Sequence, residues 1–325
     1  MKAIVMYPGG AAPEIGEREV PIENSDQQLF IKMRAAAIKN LDKMRASGKH
    51  YSSELRPEGQ VVGTDGVGIT KDGKRYYGFS QTGILAEYSL IDKAFAVPIP
   101  DGLDDSRAAA IPNAVMGSAM ALLFRAKLRP GETVLINGAT GVTGRMAIQV
   151  AKHYGAAKVI VTGRNKAAFA ELEALGADQW LTLSEDQALL TSELAGLHQQ
   201  YAIDIVLDYL WGASAEAILN GIKGKGGFAH GVRFVSIGGM TGDLISLSSS
   251  ILRSTPIVLM GSGLGSWTKE EVGKHIKEIL PEFFDLAAAG QLQIETKDYG
   301  VSQLAELWEA KLPSGVRAVI DLDGL

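Results

Sequence analysis

Apolar and polar residues follow two rhythms along this chain, and the change between them falls near residue 110. Before it, short apolar runs at 3–6, 29–35, 61–69 and 86–90 are separated by clusters of Gly, Pro, Asp and Ser. Runs of that length between turn residues predict strands. In 29–35 apolar and charged positions alternate over part of the run, the mark of a strand with one buried face. A short helix is expected at 40–47. Beyond Arg107 the sequence turns alanine-rich and helical through 121–126, and Arg129-Pro130-Gly131-Glu132 turns the chain into the next strand.

The second rhythm begins at 133–166, TVLINGATGVTGRMAIQVAKHYGAAKVIVTGRNK. A β-rich run at 133–137 meets glycines at 138, 141 and 144. A helix follows with Val142, Met146, Ile148, Val150 and Ala151 largely on one side, and an apolar run at 158–162 closes the unit. This is a βαβ pattern. It continues with helices at 166–175 and 188–198, strands at 179–183 and 203–207, a glycine-rich loop at 221–231, and apolar runs at 233–237 and 257–260. Such alternation predicts an α/β fold, a Rossmann doubly wound parallel sheet with helices on both faces.

Near the C-terminus, Thr268 and Glu271 form a capping box before Val272, Ile276, Ile279, Phe283 and Leu286 at helical spacing. Pro281 is expected to kink that helix and Gly290 to stop it. A strand at 292–295, a helix at 301–310 and a strand at 316–322 follow. The central sheet needs no more strands by then, so this tail is expected to return to the β-rich region. The expected domains are 1–115 with 262–325, and 116–261.

Composition removes several classes of function. A length of 325 residues with 46% hydrophobic and 21% charged residues suits a two-domain globular protein. A net charge of −5 without a long basic run argues against nucleic acid or an anionic membrane as the main partner. Cysteine is absent, which excludes disulfides, thiolate chemistry and cysteine-ligated zinc. The first apolar run is too short for a signal peptide, and no stretch reaches the roughly 18 uninterrupted apolar residues of a membrane span. A cytoplasmic protein is expected.

The turn at 138–144 has the chemistry of a dinucleotide site. The fingerprint places glycine where the chain turns tightly, where backbone approaches a pyrophosphate, and where helix and strand pack closely. Ala139, Gly141 and Gly144 fall at those places, with alanine for the first glycine and Thr140 between. A helix opening at Val142 presents unpaired N–H groups and the positive end of its dipole to the phosphates. An NAD-preferring site places an acid about 20 residues further on for the ribose hydroxyls. Here the strand ends in Gly163-Arg164-Asn165-Lys166, with no acid before Glu171. Two cations there suit the 2′-phosphate of NADP(H). In the competing reading Arg164 and Lys166 are solvated residues that cap the next helix.

The order of parts resembles the medium-chain dehydrogenase/reductase superfamily, and within it the zinc-independent quinone oxidoreductase-like branch. The similarity rests on AAAIKNLDKMRASG at 35–48, LAEYSL at 85–90, AAAIPNAVMGSAMAL at 108–122, PGETVLINGATGVTGRMAIQVAK at 130–152 and GSGLG at 261–265. It implies a GroES-like β-rich catalytic domain from both ends of the chain, a Rossmann domain in the middle, a cofactor cleft between them, and a homodimer joined through the edge of the Rossmann sheet. Ile237, Gly238, Gly261, Ser262 and Gly263 match family segments that pass the nicotinamide side of the cleft; Asn40, Asn113 and Ser118 are further candidates for cofactor contact, the last two with the nicotinamide amide, and Arg317, near the last strand, is another candidate phosphate partner. The zinc enzymes of the superfamily take ligands from a Cys near Asp42, a His-Glu pair after the next strand, and a second Cys. None of these is present, and Gly63-Thr64-Asp65 replaces the Gly-His-Glu signature. Of the 5 histidines His50 lies nearest, and alone it makes no metal site. No metal is expected.

Two departures bear on chemistry. Relatives show Asn-Pro where this chain has Lys39-Asn40, and Gly117 replaces a threonine near the nicotinamide. Lys39 is the first candidate to stabilise an oxyanion, with Asp42 orienting it; a solvated strand-end lysine and a helix-start carboxylate fit as well. Tyr51 and Tyr77 are candidates to donate a hydrogen bond or to stack. The expected activity is NADPH-dependent hydride transfer to a small-molecule quinone or α,β-unsaturated carbonyl. An enoyl-thioester reductase and a low-turnover NADPH-binding redox sensor are the alternatives.

Overall fold

The computed structural model describes residues 1–8, 12–46 and 57–325, so Ser47, His50 and Tyr51 lie outside the described residues. The chain divides into two compact units, Met1–Pro112 with Val272–Leu325, and Asn113–Glu271. Relative to the boundaries drawn on sequence, the second unit also takes in 113–115 and 262–271. Glu271 is one reason. Its carboxylate pairs with Arg125 and accepts from the Thr268 N–H at 2.9 Å, while Thr268 Oγ1 accepts from the Glu271 N–H at 3.1 Å.

The first unit opens with β1 (Lys2–Met6), β2 (Glu14–Glu17), β3 (Gln28–Ile38), a helix (Asn40–Ala46), β4 (Gln60–Val61), β5 (Asp65–Ile69), β6 (Arg75–Phe79), β7 (Tyr88–Asp92) and β8 (Val97–Pro98). The run expected as one strand at 61–69 is two, because Gly63 takes φ +86°, a left-handed conformation that breaks the extended chain. Among the described residues one helical run, Asp105–Ala126, is long and apolar enough to cross a membrane, and 67% of its most apolar window is buried within the protein.

The second unit is built on six parallel strands: β9 (Thr133–Asn137), β10 (Lys158–Gly163), β11 (Gln179–Thr182), β12 (Ile205–Asp208), β13 (Val232–Ser236) and β14 (Ile257–Gly261). Their order is β11-β10-β9-β12-β13-β14. The sheet therefore grows in opposite directions from β9 and β12, and the loops leaving the C-terminal ends of these two strands open a crevice where such sheets receive dinucleotides. Central strands covered on both faces need no apolar–polar alternation. Every residue of β9 and β12 is buried. Leu135, Ile160, Val206 and Phe234 form the core with Leu190, Leu194 and Ile218 from the helices.

The chain then returns to the first unit with β15 (Glu295–Gly300) and β16 (Val316–Asp321), in a sheet ordered β15-β16-β3-β5-β6-β8 with β7 also on β3. The strand expected at 292–295 lies later, because Leu292 is still tied to the preceding helix through its N–H and Leu286 O at 3.2 Å. Pro281 does not kink an α-helix. A π-turn, His275–Ile279, precedes it, and Pro281 opens the α-helix Leu280–Ala288, where its missing N–H is no loss. Ile4, Ile31, Met33, Ile91, Tyr299 and Ile320 centre the core of this unit.

Candidate functional site

Three glycines build the turn after β9, each for its own reason. Gly138 has φ +88°, and a Cβ there would lie 2.8 Å from Leu210 Cγ, so the tight turn belongs to Gly138 and not to the next residue. Ala139, placed on spacing at the tight turn, is fully buried, and its N–H donates to Thr162 O at 3.0 Å; it faces the sheet and offers no donor to a phosphate. At Gly144 a Cβ would lie 2.6 Å from Ala139 Cα and 2.7 Å from Gly138 O, so helix and turn touch at backbone level. Gly141 is the opposite case, with nothing within 4 Å of a Cβ. It caps the helix Val142–His153 without a side-chain bond, which leaves the first N–H groups, from Val142 onward, for a ligand. The Thr140 carbonyl accepts from Arg145 Nε at 3.1 Å and fixes the turn from behind.

At the end of β10 the chain is squeezed and then released. A Cβ on Gly163 would meet the Trp180 ring at 2.5 Å and Thr140 Cγ2 at 2.8 Å. Arg164, Asn165 and Lys166 beyond it are exposed. Asn165 Oδ1 accepts from the Ala167 N–H at 3.0 Å and caps the short turn that follows, so neither cation is needed for capping. Glu171, the next acid, is engaged by Arg145 at 2.5 Å. Among the described residues Arg164 and Lys166 make no ion pair.

The residues expected near the nicotinamide divide. Gly261 and Gly263 have open space where a Cβ would be. Ile237 and Gly238 donate their N–H groups to Asp208 O at 2.8 and 3.2 Å. Ser262 is buried, with its N–H on Ser236 O at 2.8 Å and its Oγ accepting from Trp267 Nε1 at 3.1 Å. Ser118 does not present its hydroxyl to a ligand. It is fully buried and donates to Ala114 O at 2.9 Å and Val115 O at 3.2 Å, bonds that its own helix supplies. Asn113 lies half-buried on the same helix.

Sequence reading missed the polar residues that end the strands here. Asn137 Nδ2 donates to Asp208 Oδ1 at 2.8 Å and to Ser214 Oγ at 2.9 Å, while Thr162 Oγ1 donates to Asn137 Oδ1 at 2.6 Å. Burial raises the Asp208 carboxyl above its ordinary range, against the pull of Asn137 and of the Trp211 and Leu210 N–H groups. One polar residue at the C-terminal end of each of three apolar strands was the available signal.

In the first unit Lys39 is neither solvated nor free. Only 4% exposed, its ammonium donates to Ala37 O at 3.0 Å and contacts Asp42 Oδ2 at 3.1 Å and Asp65 Oδ1 at 2.9 Å. Three N–H groups meet three protein acceptors, which leaves none for a substrate oxyanion. Burial lowers the ammonium, yet the two carboxylates outweigh it and raise Lys39 above its ordinary value. Burial likewise raises Asp65, but Lys39, Thr64 and Tyr77 pull it below the usual range. Tyr77 is a core residue: fully buried, it donates to Asp65 Oδ2 at 2.9 Å and packs edge-on against Phe79 and Phe284. Arg317 is 9% exposed and its Nε has no hydrogen-bond partner among the described residues, and burial lowers it despite Asp42 and Asp65 nearby. Asn40 starts the helix Asn40–Ala46 and is exposed.

Residues 142–280 match the family model described as zinc-binding dehydrogenase. The probable NADPH-dependent quinone reductase tdiC of Emericella nidulans is 26% identical over 334 residues, covering 90% of this chain and 92% of that protein. The chain is similar in sequence to the quinone oxidoreductase-like branch of the medium-chain dehydrogenase/reductase superfamily. The polyketide synthase GfsB of Streptomyces halstedii is 31% identical over 67% of the chain, which spans 4% of that much longer protein. The quinone oxidoreductase of Thermus thermophilus, solved also in complex with NADPH, superposes with a TM-score of 0.74 at 23% identity, over 99% of this chain and 100% of that one.

These relatives, named as NADPH-dependent or quinone reductases, support an oxidoreductase, and NADP(H) is the cofactor that the relatives' names give. The word zinc in the matched model does not reach its donor set. Asp42 and Asp65 lie outside the matched residues and already hold Lys39, and among the described residues no cluster of three His, Cys, Asp or Glu side chains could hold a metal. The donors among the described residues do not make a zinc site.

Proposed function

We propose that this reductase uses NADPH to reduce a quinone or a small α,β-unsaturated carbonyl, without zinc. One arrangement supports the cofactor choice above all. An open helix N-terminus at Gly141 and Val142 is followed, at the tip of the next strand, by two exposed and unpaired cations, Arg164 and Lys166. The N–H groups of the helix take the pyrophosphate, and the cations take the 2′-phosphate. Gly261 and Gly263 leave room on the nicotinamide side. NADPH, when bound, supplies the hydride. Hydride addition to an electron-poor acceptor spreads charge onto oxygen, and water protonates it, so the chain needs orientation more than a strong acid. Lys39, with no free N–H, is not assigned to this step.

Arg164→Ala is expected to remove a charge-assisted hydrogen bond of about 1.5–3 kcal/mol and so weaken NADPH at least about tenfold, with NADH little changed. Equal weakening of both cofactors in a binding titration removes the phosphate assignment. The acceptor class is tested by following NADPH oxidation against ortho- and para-quinones, 2-alkenals and enoyl thioesters, with NADH as control. Preference for enoyl thioesters would favour a second reading, enoyl-thioester reduction, to which the polyketide synthase relative points. NADPH binding without turnover on any acceptor would sink both and leave a redox sensor.

The proposal extends to a homodimer joined along β14. This edge strand leaves Val258 52% and Leu259 39% exposed, and an uncovered apolar edge is a template for pairing. Light scattering that reports a monomer at working concentration would remove the dimer.

A further inference from the structure

The turn that follows β12, residues 208–212, holds a backbone that its sequence does not favour. Trp211 sits at φ 61°, ψ −156°, a strained region that is otherwise nearly glycine-only. Gly212 follows at φ 59°. Such strain persists only where the surroundings over-determine it, and here they do. The Asp208 carboxylate, fully buried, accepts from the Leu210 N–H at 3.0 Å, the Trp211 N–H at 3.1 Å and Asn137 Nδ2 at 2.8 Å. The Trp211 ring stands edge-on to Phe234 in the core.

This turn braces two other segments. Leu210 lies directly against Gly138, whose missing Cβ would be 2.8 Å from its Cγ, and the Gly138 N–H donates to Thr162 Oγ1 at 3.1 Å within the same polar network. On the other side, Asp208 O accepts from Ile237 and Gly238, and Leu210 O accepts from the Thr241 N–H at 2.9 Å and its Oγ1 at 3.1 Å. A Cβ on Gly238 would come within 2.9 Å of Tyr209 O. One strained turn thus touches the glycine turn after β9, which leads into the proposed pyrophosphate site, and the loop 237–241, which begins with Ile237 and Gly238, the residues expected on the nicotinamide side.

We propose that Asp208 is a positioning residue: by locking the 208–212 turn it sets the glycine turn and the 237–241 loop against each other, and so fixes the orientation of the nicotinamide without touching it. This rests on the NADPH reading. A rigid buttress of this kind matters because misplacement by about 1 Å can cost orders of magnitude in rate.

The test uses the full-length protein and three variants, Asp208→Asn, Asp208→Ala and Leu210→Ala, with NADPH and with NADPH deuterated on either face of C4. The expected result for Asp208→Asn is NADPH affinity weakened about tenfold, an unchanged KM for the acceptor, and transfer of deuterium from both faces where the wild type uses one. A side chain that merely holds the fold together would lower the melting temperature without relaxing the face of transfer. Leu210→Ala keeps the backbone N–H that donates to Asp208 and cuts back the side chain that lies against Gly138, so it decides the matter if the Asp208 variants fail to fold. It should weaken NADPH several-fold and relax the face of transfer. Folded variants that bind NADPH as the wild type does, with strict facial selectivity, overturn the inference alone. A wild type that does not bind NADPH overturns the functional reading and the inference with it.

Discussion

Lys39→Met is expected to cost about 3–5 kcal/mol of stability at neutral pH, the usual penalty for leaving a buried charge without its partner. The ammonium is the shared cation of Asp42 and Asp65, and all three groups are almost sealed from water. The pH dependence has a definite sign. Lys39 is raised in the folded protein, so its contribution is complete below the unfolded value of about 10.4 and is lost as pH rises through the folded value. Asp65 is lowered, so its contribution is complete above about 3.9 and is lost as pH falls through the folded value. Between those limits the cluster stabilises the wild type evenly. In the variant Asp65 keeps its burial and loses the cation that lowered it, so its folded value rises above the unfolded one and stability falls with increasing pH. Urea unfolding should show the variant recovering part of its deficit between pH 7 and about pH 5. A deficit under about 1 kcal/mol at pH 7 would mean that the ammonium is not what keeps these carboxylates tolerable inside the protein.

Gly144→Ala should abolish useful cofactor binding, and its contrast with Gly141→Ala is the informative result. At Gly144 the added Cβ would collide with backbone atoms at 2.6–2.8 Å, none of which can rotate away. The helix Val142–His153 must move off the turn, at a cost of about 1–3 kcal/mol or more in stability. NADPH affinity should fall about a hundredfold as the N–H groups are displaced. At Gly141 the same methyl group meets no protein atom, so stability should stay within about 1 kcal/mol of the wild type. Affinity should still drop, because the space is what a pyrophosphate would occupy. Fluorescence titration with NADPH beside urea unfolding separates the two. Gly144→Ala with wild-type affinity would remove the helix N-terminus from the site.

The parts of this molecule that sequence discloses are those whose causes are local. β9 and β12 are continuous apolar runs because neighbours cover both faces, and the glycine turn is legible because steric need and residue type coincide. The cations at 164 and 166 follow in the same few residues. What escaped depends on partners far along the chain. Lys39 could be solvated or buried until Asp65, on another strand, was placed beside it. Asp208 is one acid at a strand end until Asn137 and the Leu210 and Trp211 N–H groups close around it. The tight turn was assigned one residue late because spacing cannot show that Leu210 fills the place of a Cβ at Gly138. β15 was misplaced for the opposite reason: an edge strand with charged, exposed positions has no apolar pattern to find. The π-turn before Pro281 is a backbone adjustment that residue types alone do not announce.

The strand tip after β10 has a consequence of a different kind. Gly163 is wedged beneath Trp180, and just past it Asn165 caps the next turn while Arg164 and Lys166 are exposed. Substitutions at those two cations would leave the packed interior intact. On the proposed reading, the choice of electron donor is thus mechanically decoupled from folding. A lineage carrying this scaffold can be moved from one cellular pool of reducing equivalents to another by drift at two surface codons, while the rest of the unit stays under the constraint of its packed backbone.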